Sequence, residues 1–175
     1  GYSGDNLGSL SFDGVDDRVS SANNTGISGS SSRSLCVFCY PTATSGNFYS
    51  VARIGSAIDG RLFEILISGN SVLGHFYGSG LALGASSGKT LLNNHSYVVM
   101  TYNGSTVFIY VDGLLKNSGN FSLNTTNSQL ILGLKAYNPH ANYQGRQSIF
   151  QIYNRALTAS EIQQNFNATR SRFGL

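Results

Sequence analysis

Short apolar runs, each closed by a turn dipeptide, constrain the fold of this chain more than any other feature. One run covers residues 98–102, an Asn-Gly pair follows it, and a second run at 106–111 ends at an Asp-Gly pair. Asn-Gly favours the two positive φ angles of a type I′ turn. The two runs are therefore predicted to form a β-hairpin.

Similar runs recur along most of the chain, separated by Gly-, Ser- and Asn-containing turns. Further strands are predicted at 9–12, 18–20, 34–40, 48–54, 62–67, 72–77, 129–132 and 148–153. Segments 21–32 and 78–90 are predicted to be loops or irregular edge strands because they are rich in Ser and Gly. Many short strands with regular turns indicate an all-β fold, a two-sheet antiparallel sandwich.

One helix is predicted near the C-terminus. Thr158 and Glu161 have the spacing of a capping box, in which each side chain accepts a hydrogen bond from the other residue's backbone N–H. Leu157 and Ile162 occupy the two positions of a hydrophobic staple. Since Ile162 and Phe166 lie one turn apart, this short helix should pack on the sandwich through one face.

The composition excludes some classes of partner. The chain has 175 residues, of which 11% are charged, and its net charge is only +3. The basic residues are spread singly, whereas nucleic-acid binding requires a clustered basic surface, so no nucleic-acid partner is expected. The sequence contains no apolar stretch of the roughly 18 residues that would predict a membrane span.

Two cysteines, Cys36 and Cys39, lie in one predicted strand. At about 3.3 Å per residue their Cα atoms would be ~10 Å apart, with the side chains on opposite faces. That separation exceeds the roughly 7 Å that a disulfide can bridge. Both residues are therefore predicted to be buried free thiols.

Four of these segments together resemble a known family. Residues 9–17, 35–41, 95–113 and 152–162 are similar to the first strand and turn, a Pro-ended strand, the central hairpin, and the closing strand and helix of laminin G-like and pentraxin-type domains. These belong to the concanavalin A-like lectin/glucanase superfamily. The resemblance implies one jelly-roll domain over residues 1–175, with one short C-terminal helix. Such folds support many functions, so the resemblance specifies the fold better than the function.

Glycoside hydrolysis, which some members of the superfamily catalyse, requires two carboxyl groups about 5 to 9 Å apart. The only glutamates are Glu64 and Glu161, and Glu161 is assigned to the helix cap. Glu64 has no acidic neighbour at the spacing of the glucanase motif and is interpreted as a solvent-facing or hydrogen-bonded strand residue. The chain is therefore predicted not to be an enzyme.

Calcium is the cofactor that the acidic residues would suit. Asp13, Asp16 and Asp17 cluster in one turn, and laminin G-like and pentraxin-type relatives often bind calcium. Other acidic positions of those relatives are absent here, and aspartates in a turn often bond only to the local backbone. No cofactor is expected to be required, and a structural calcium at this turn remains open.

Two groups of aromatic and amide side chains are candidates for ligand binding. Aromatic faces and uncharged polar groups suit neutral sugars, and binding residues concentrate on loops carried by a rigid scaffold. The candidates are Tyr137, Asn138, His140, Asn142 and Tyr143 in one loop, with His75 and Tyr77 in a second group.

We therefore expect a non-catalytic recognition module that contacts surface glycans or other virion or cell-surface proteins. The alternative is a structural decoration domain that binds only proteins. Residues 164–175 resemble the ends of such domains on phage and large-virus structural proteins, which implies a virion or extracellular surface. Because the chain begins at Gly1, we expect a processed product or a module of a longer protein, and an oligomer is compatible with either.

Overall fold

The computed structural model of the protein describes residues 2–3, 8–78, 80–137 and 141–175. Its strands, in chain order, are β1 (Tyr2–Ser3), β2 (Ser9–Asp13), β3 (Val19–Ser20), β4 (Arg33–Pro41), β5 (Tyr49–Gly55), β6 (Leu62–Ser68), β7 (Ser71–His75), β8 (Ala82–Ser86), β9 (Ser96–Tyr102), β10 (Thr106–Val111), β11 (Leu114–Asn120), β12 (Ile131–Leu132), β13 (Ala141–Asn142) and β14 (Gln144–Tyr153).

These strands form two packed sheets. The first sheet has the order β1-β2-β14-β4-β9-β10-β11, and the second has the order β3-β12-β5-β6-β7-β8. Their ladders are antiparallel, except that β13 pairs in parallel with β5. The all-β sandwich with a single short helix after the last strand is thus confirmed for the described part of the chain.

The core between the sheets follows the two-residue period of the strands. Leu35, Val37 and Cys39 of β4 face this core, as do Phe63 and Ile65 of β6, and all of them are buried. Each intervening residue points to the other side of its sheet. The alternation in the sequence therefore determines which face each side chain occupies.

The outer face of the first sheet is also apolar and is covered by the C-terminal segment. We call this packing the helix-side cluster; its buried members are Cys36, Phe38, Tyr97, Val99, Tyr110, Leu157, Ile162, Phe166 and Phe173. Phe38 stacks on Tyr97 at 4.8 Å and on Phe173 at 4.4 Å between ring centroids.

Helix α1 (Ala159–Thr169) has the predicted cap. Thr158 Oγ1 accepts from the N–H of Glu161 at 3.3 Å, and Glu161 Oε2 accepts from the N–H of Thr158 at 2.8 Å. Leu157 and Ile162 are both buried, as the staple requires. A short 3-10 helix (Arg170–Phe173) then brings Phe173 onto Phe38.

Both cysteines are free and buried, which confirms the prediction from strand geometry. Cys36 belongs to the helix-side cluster and Cys39 to the core between the sheets, so their side chains lie on opposite faces of β4. Burial raises the pKa of each thiol to about 12. Neither thiol is therefore a nucleophile near neutral pH.

The turn type predicted for the Asn103-Gly104 pair is wrong. Gly104 has a positive φ of 106°, but Asn103 is not among the residues with positive φ. Instead, Asn103 Oδ1 accepts from the backbone N–H groups of Ser105 and Thr106, so the loop is held by a side chain. The type I′ pattern occurs at the next turn, where Asp112 and Gly113 both have positive φ.

Strand β11 was not predicted. Its sequence is largely polar and most of its residues are exposed, so it lacks the alternation that marks a half-buried strand. It forms because the Asp-Gly turn returns the chain along β10, with Val111 opposite Leu114. Strand β8, by contrast, lies in segment 78–90, for which the sequence predicts a loop or an irregular edge strand; the edge strand is correct, since β8 is at the edge of the second sheet.

The helix cap generates a prediction about pH. Hydrogen bonds from the Arg155 guanidinium, and then from the Thr158 backbone, lower the pKa of Glu161 from 4.5 to about 2. A carboxyl group whose pKa is depressed by folding stabilises the native state above its unfolded pKa and loses that contribution as pH falls toward 2. The stability difference between the wild type and Glu161→Gln should be largest above pH 5 and should vanish near pH 2. Urea unfolding midpoints at several pH values measure it.

Ser160→Ala provides the control, because Ser160 is exposed in the same turn. The difference between its urea unfolding midpoint and that of the wild type should not change with pH. An offset for Glu161→Gln that is equally constant would contradict the assignment of the depressed pKa to the cap.

Candidate functional site

The outer face of the second sheet carries polar side chains among apolar ones such as Leu62 and Leu66. Phe63 and Ile65 of β6 face the core, so Glu64 between them points outward. Arg53 of β5 is directly opposite Glu64 in one ladder, and His75 of β7 is opposite it in the other. Three adjacent strands thus bring the guanidinium of Arg53, the carboxylate of Glu64 and the imidazole of His75 into one row, which we call the buried row.

Glu64 is the centre of this row and is fully buried. Ser50 Oγ donates to Glu64 Oε1 at 2.6 Å, and His75 Nδ1 lies 3.2 Å from Glu64 Oε2. Burial lowers the pKa of the Arg53 guanidinium, while the charge of Glu64 acts to raise it. A buried carboxylate is tolerable only with such partners, and here they come from both neighbouring strands.

The segment that follows β12 lies over this row. The carbonyl oxygen of Leu134 is 3.2 Å from Ser50 Oγ and 3.2 Å from Arg53 Nε. At Gly133, φ is +79° and a Cβ atom would lie 2.3 Å from a ring carbon of Phe12, so only glycine lets the chain pass there. The buried polar residues therefore hold the segment that reaches Tyr137.

Three rings meet at the end of this segment, and we call them the aromatic cluster: His75, Tyr77 and Tyr137. Tyr137 stacks on His75 with 5.8 Å between centroids and meets Tyr77 edge-on at 4.6 Å. His75 is 8% exposed, whereas the two tyrosines are each partly exposed. The tyrosines therefore form the outer surface, and His75 supports them from below.

Tyr77 has an unusual backbone conformation. Its φ is +60°, which a bulky side chain rarely adopts. Its carbonyl oxygen accepts from the N–H of Gly60 at 3.3 Å, which ties this conformation to the turn before β6. Strained positions of this kind occur preferentially at functional sites, and this one directs the Tyr77 ring toward Tyr137.

The structure divides the predicted ligand residues into three groups. His75, Tyr77 and Tyr137 come together in the aromatic cluster, although Tyr137 lies 60 positions after Tyr77 in the sequence. Asn138 and His140 lie outside the described residues. Asn142 and Tyr143 are both buried, whereas the sequence predicts them in a ligand-binding loop.

Tyr143 belongs to the core and contacts no solvent, so the prediction that it touches a ligand is wrong. Its ring meets Phe12 edge-on at 5.9 Å, and its hydroxyl donates to the carbonyl of Arg146. Asn142 is buried and holds the backbone: its Oδ1 accepts from the N–H of Lys135, and its Nδ2 donates to the carbonyl of Val15. It supports the segment that carries Tyr137.

Glu64, Ser50 and Arg53 were not predicted as part of a site. Of the two interpretations of Glu64 as a strand residue, the hydrogen-bonded one is confirmed and the solvent-facing one is wrong. The sequence signal that could have identified this site was a carboxylate within the apolar run from Leu62 to Leu66. Both residues that flank Glu64 are core residues. As placed, Glu64 offers no oxygen to solvent and acts as structural support.

The three aspartates of the first turn have carboxylate oxygens within 4.8 Å of one another. Asp13 Oδ1 accepts from the N–H of Val15 at 2.7 Å, and Asp17 Oδ2 accepts from the N–H of Asp13 at 3.0 Å. Asp16 is exposed. The remaining oxygens are hard ligands of the kind that calcium prefers, so this turn fits the ion while also having the local bonds of an ordinary turn.

The sequence and the fold identify the family. A model of the concanavalin A-like lectin/glucanases superfamily matches residues 13–163, and the chain belongs to this superfamily. No curated protein sequence matches the chain. No helix within the described ranges is long and apolar enough to cross a membrane.

Several solved structures are similar in fold. The binding domain of Paraclostridial Mosquitocidal Protein 1 is 20% identical, with a TM-score of 0.65 over 92% of this chain and 46% of that one. Domain 4 of the arabinanase AbnA from Geobacillus stearothermophilus, in complex with arabinotriose, is 16% identical, with a TM-score of 0.69 over 89% and 75%. The CBM40 of the Ruminococcus gnavus IT-sialidase, bound to α2,3 sialyllactose, is 12% identical, with a TM-score of 0.64 over 86% and 97%. This chain spans less than half the length of the mosquitocidal binding domain.

The buried row generates a stability prediction. Glu64→Ala should lower the free energy of unfolding by about 3 kcal/mol, because it leaves the other polar groups of the row buried without their carboxylate. Glu64→Gln retains an oxygen for Ser50 and should cost less. Chemical denaturation measures both variants. If Glu64→Ala is within about 0.5 kcal/mol of the wild type, the row does not support this face.

Proposed function

We propose that this chain is a non-catalytic recognition module that binds a saccharide at the aromatic cluster. The observation that carries the proposal is the meeting of Tyr77 and Tyr137, both partly exposed, over a buried His75. Sugar rings present C–H faces that pack on aromatic side chains, and nearby polar groups orient their hydroxyls. The cluster is preorganised by the buried row beneath it, which reduces the entropy lost on binding.

The similar structures support this class of ligand. One of them is a domain in complex with arabinotriose, and one is bound to α2,3 sialyllactose. The absence of solvent-exposed oxygen on Glu64 favours binding over hydrolysis, since that carboxylate has no path to a substrate as placed. We further propose a virion or extracellular surface as the location, on the resemblance of the chain's C-terminal end.

A second candidate function is a structural decoration domain that binds only proteins. The specific observation in its favour is strand β11, which is the edge of the first sheet. Leu114 and Leu115 on this strand are 59% and 52% exposed. An exposed edge with apolar residues suits strand pairing with another protein or with a second copy of this chain.

A glycan array distinguishes the two candidates. Tyr137→Ala should weaken saccharide binding roughly tenfold, because the stacking surface is lost. Tyr153→Ala is the matched control: that ring packs at the helix-side cluster on the opposite sheet, and its removal should leave binding unchanged. Thermal melts of both variants should show a folded protein. A wild type that binds no glycan on the array would contradict the saccharide proposal and favour the protein-binding candidate.

We also propose a structural calcium at Asp13, Asp16 and Asp17. An ion that binds only the folded state must raise the melting temperature, by an amount equivalent to about 2.7 kcal/mol at 100 times its dissociation constant. Differential scanning calorimetry with calcium and with chelator measures this shift. Asp16→Asn should reduce the shift while preserving the two local turn bonds. An identical midpoint with calcium and with chelator would overturn the proposal.

A further inference from the structure

An open cavity of about 460 Å³ lies at the tip of the β9–β10 hairpin, beside the end of β11. None of its lining residues belongs to the aromatic cluster. Its lining residues are Gly104, Ser105, Thr106, Asn120, Phe121 and Ser122. The volume is in the range of sites that hold small ligands.

The lining is held rigidly by hydrogen bonds. Asn103 Oδ1 accepts from the N–H and hydroxyl of Ser105 and from the N–H of Thr106. The hydroxyl of Tyr102 donates to the carbonyl of Gly104 at 2.7 Å and lies 3.0 Å from that of Phe121. The two sides of the cavity are thus joined through one buried tyrosine.

Asn120 presents donors to this cavity. Thr106 Oγ1 donates to Asn120 Oδ1 at 2.8 Å across the β10–β11 pair, which orients the amide. The Nδ2 group then carries two N–H donors, and no acceptor for them lies within the described residues. Ser105 and Ser122 belong to the same lining.

Phe121 is a half-buried residue of the lining. Its ring packs on Phe76 of the core at 4.7 Å, so its position is fixed from below. The lining has no ionisable side chain. An uncharged lining of amide, hydroxyl and aromatic residues is complementary to a neutral, hydroxyl-rich ligand, because it offers no counter-charge to an anion or a cation.

The cavity and the aromatic cluster are at the same end of the sandwich, with Gly60 between them. The N–H of Gly60 donates to the carbonyl of Tyr77 at 3.3 Å. On its other side, a Cβ atom at Gly60 would lie 3.6 Å from the carbonyl oxygen of Ser122. One residue therefore separates the backbone of Tyr77 from the backbone of the cavity lining.

We infer that this cavity is a second saccharide subsite, which takes a neutral sugar unit and extends the ligand beyond the aromatic cluster. The inference rests on the proposed function, because it treats the cavity as part of the same recognition surface. It predicts that the chain prefers oligosaccharides to single sugars, since two subsites linked in one ligand reinforce each other.

Amide chemical-shift mapping with arabinotriose, maltotriose and cellotriose at millimolar concentration tests the inference. We expect amide shifts at two places. One is the aromatic cluster, at Tyr77 or Tyr137, and the other is the cavity, at Ser105 or Asn120. Shifts confined to the aromatic cluster would overturn the second subsite and leave the proposed function standing. Shifts confined to the cavity would support a saccharide site there and overturn the assignment of binding to the aromatic cluster. No shifts at either place would overturn both.

Asn120→Asp isolates the donors of the cavity. The substitution is isosteric and keeps an oxygen for Thr106, but it removes both N–H donors. Affinity for the trisaccharide should fall roughly tenfold. Asn124→Asp is the matched control, because it adds the same charge outside the lining and should leave affinity unchanged. Equal affinities for both variants and the wild type would overturn the role of Asn120.

Discussion

The fold depends on the burial of the first sheet on both of its faces. Alternate residues of β4 and β9 pack either against the second sheet or against the C-terminal segment, and both sets are excluded from water. A sheet of this kind is stable only if both faces are covered, because each exposed apolar side chain would forgo roughly 1.5–3 kcal/mol of burial. Helix α1 is therefore as much a part of the core as the strands are.

Polar bonds hold this cover in position. Ser34 Oγ donates to the carbonyl of Arg155 at 2.9 Å and accepts from the N–H of Leu157 at 3.0 Å, so the chain entering α1 is attached to β4. The capping box and the paired Arg155 and Glu161 then direct the helix over the sheet. Covering the first sheet in this way leaves the second sheet's outer face available as the recognition surface that we propose, where a buried carboxylate organises the segment that carries Tyr137.

The sequence predicted regular features well and irregular ones poorly. The helix was predictable because the signals that mark it, the cap and the staple, lie within the six residues 157–162. Strand β11 was not predictable, because its largely polar sequence has no alternation of apolar and polar residues. It forms only because β10 lies beside it. The Asn103 turn was assigned from the dipeptide alone, whereas the Asn103 side chain bonds Ser105 and Thr106 and removes the need for a second positive φ.

For the site, residue type and loop position indicated His75, Tyr77 and Tyr137, but could not distinguish them from Tyr143. Both Tyr137 and Tyr143 lie in one polar, aromatic stretch, and only the packing of Phe12 places Tyr143 in the core. The sequence by itself determined the class of fold, the faces of the strands, the free thiols and the capped helix, since these follow from local periodicity and geometry. Only the tertiary structure decided which rings meet, what supports them and where the neutral cavity lies, because these depend on strand register and on contacts between residues far apart in the chain.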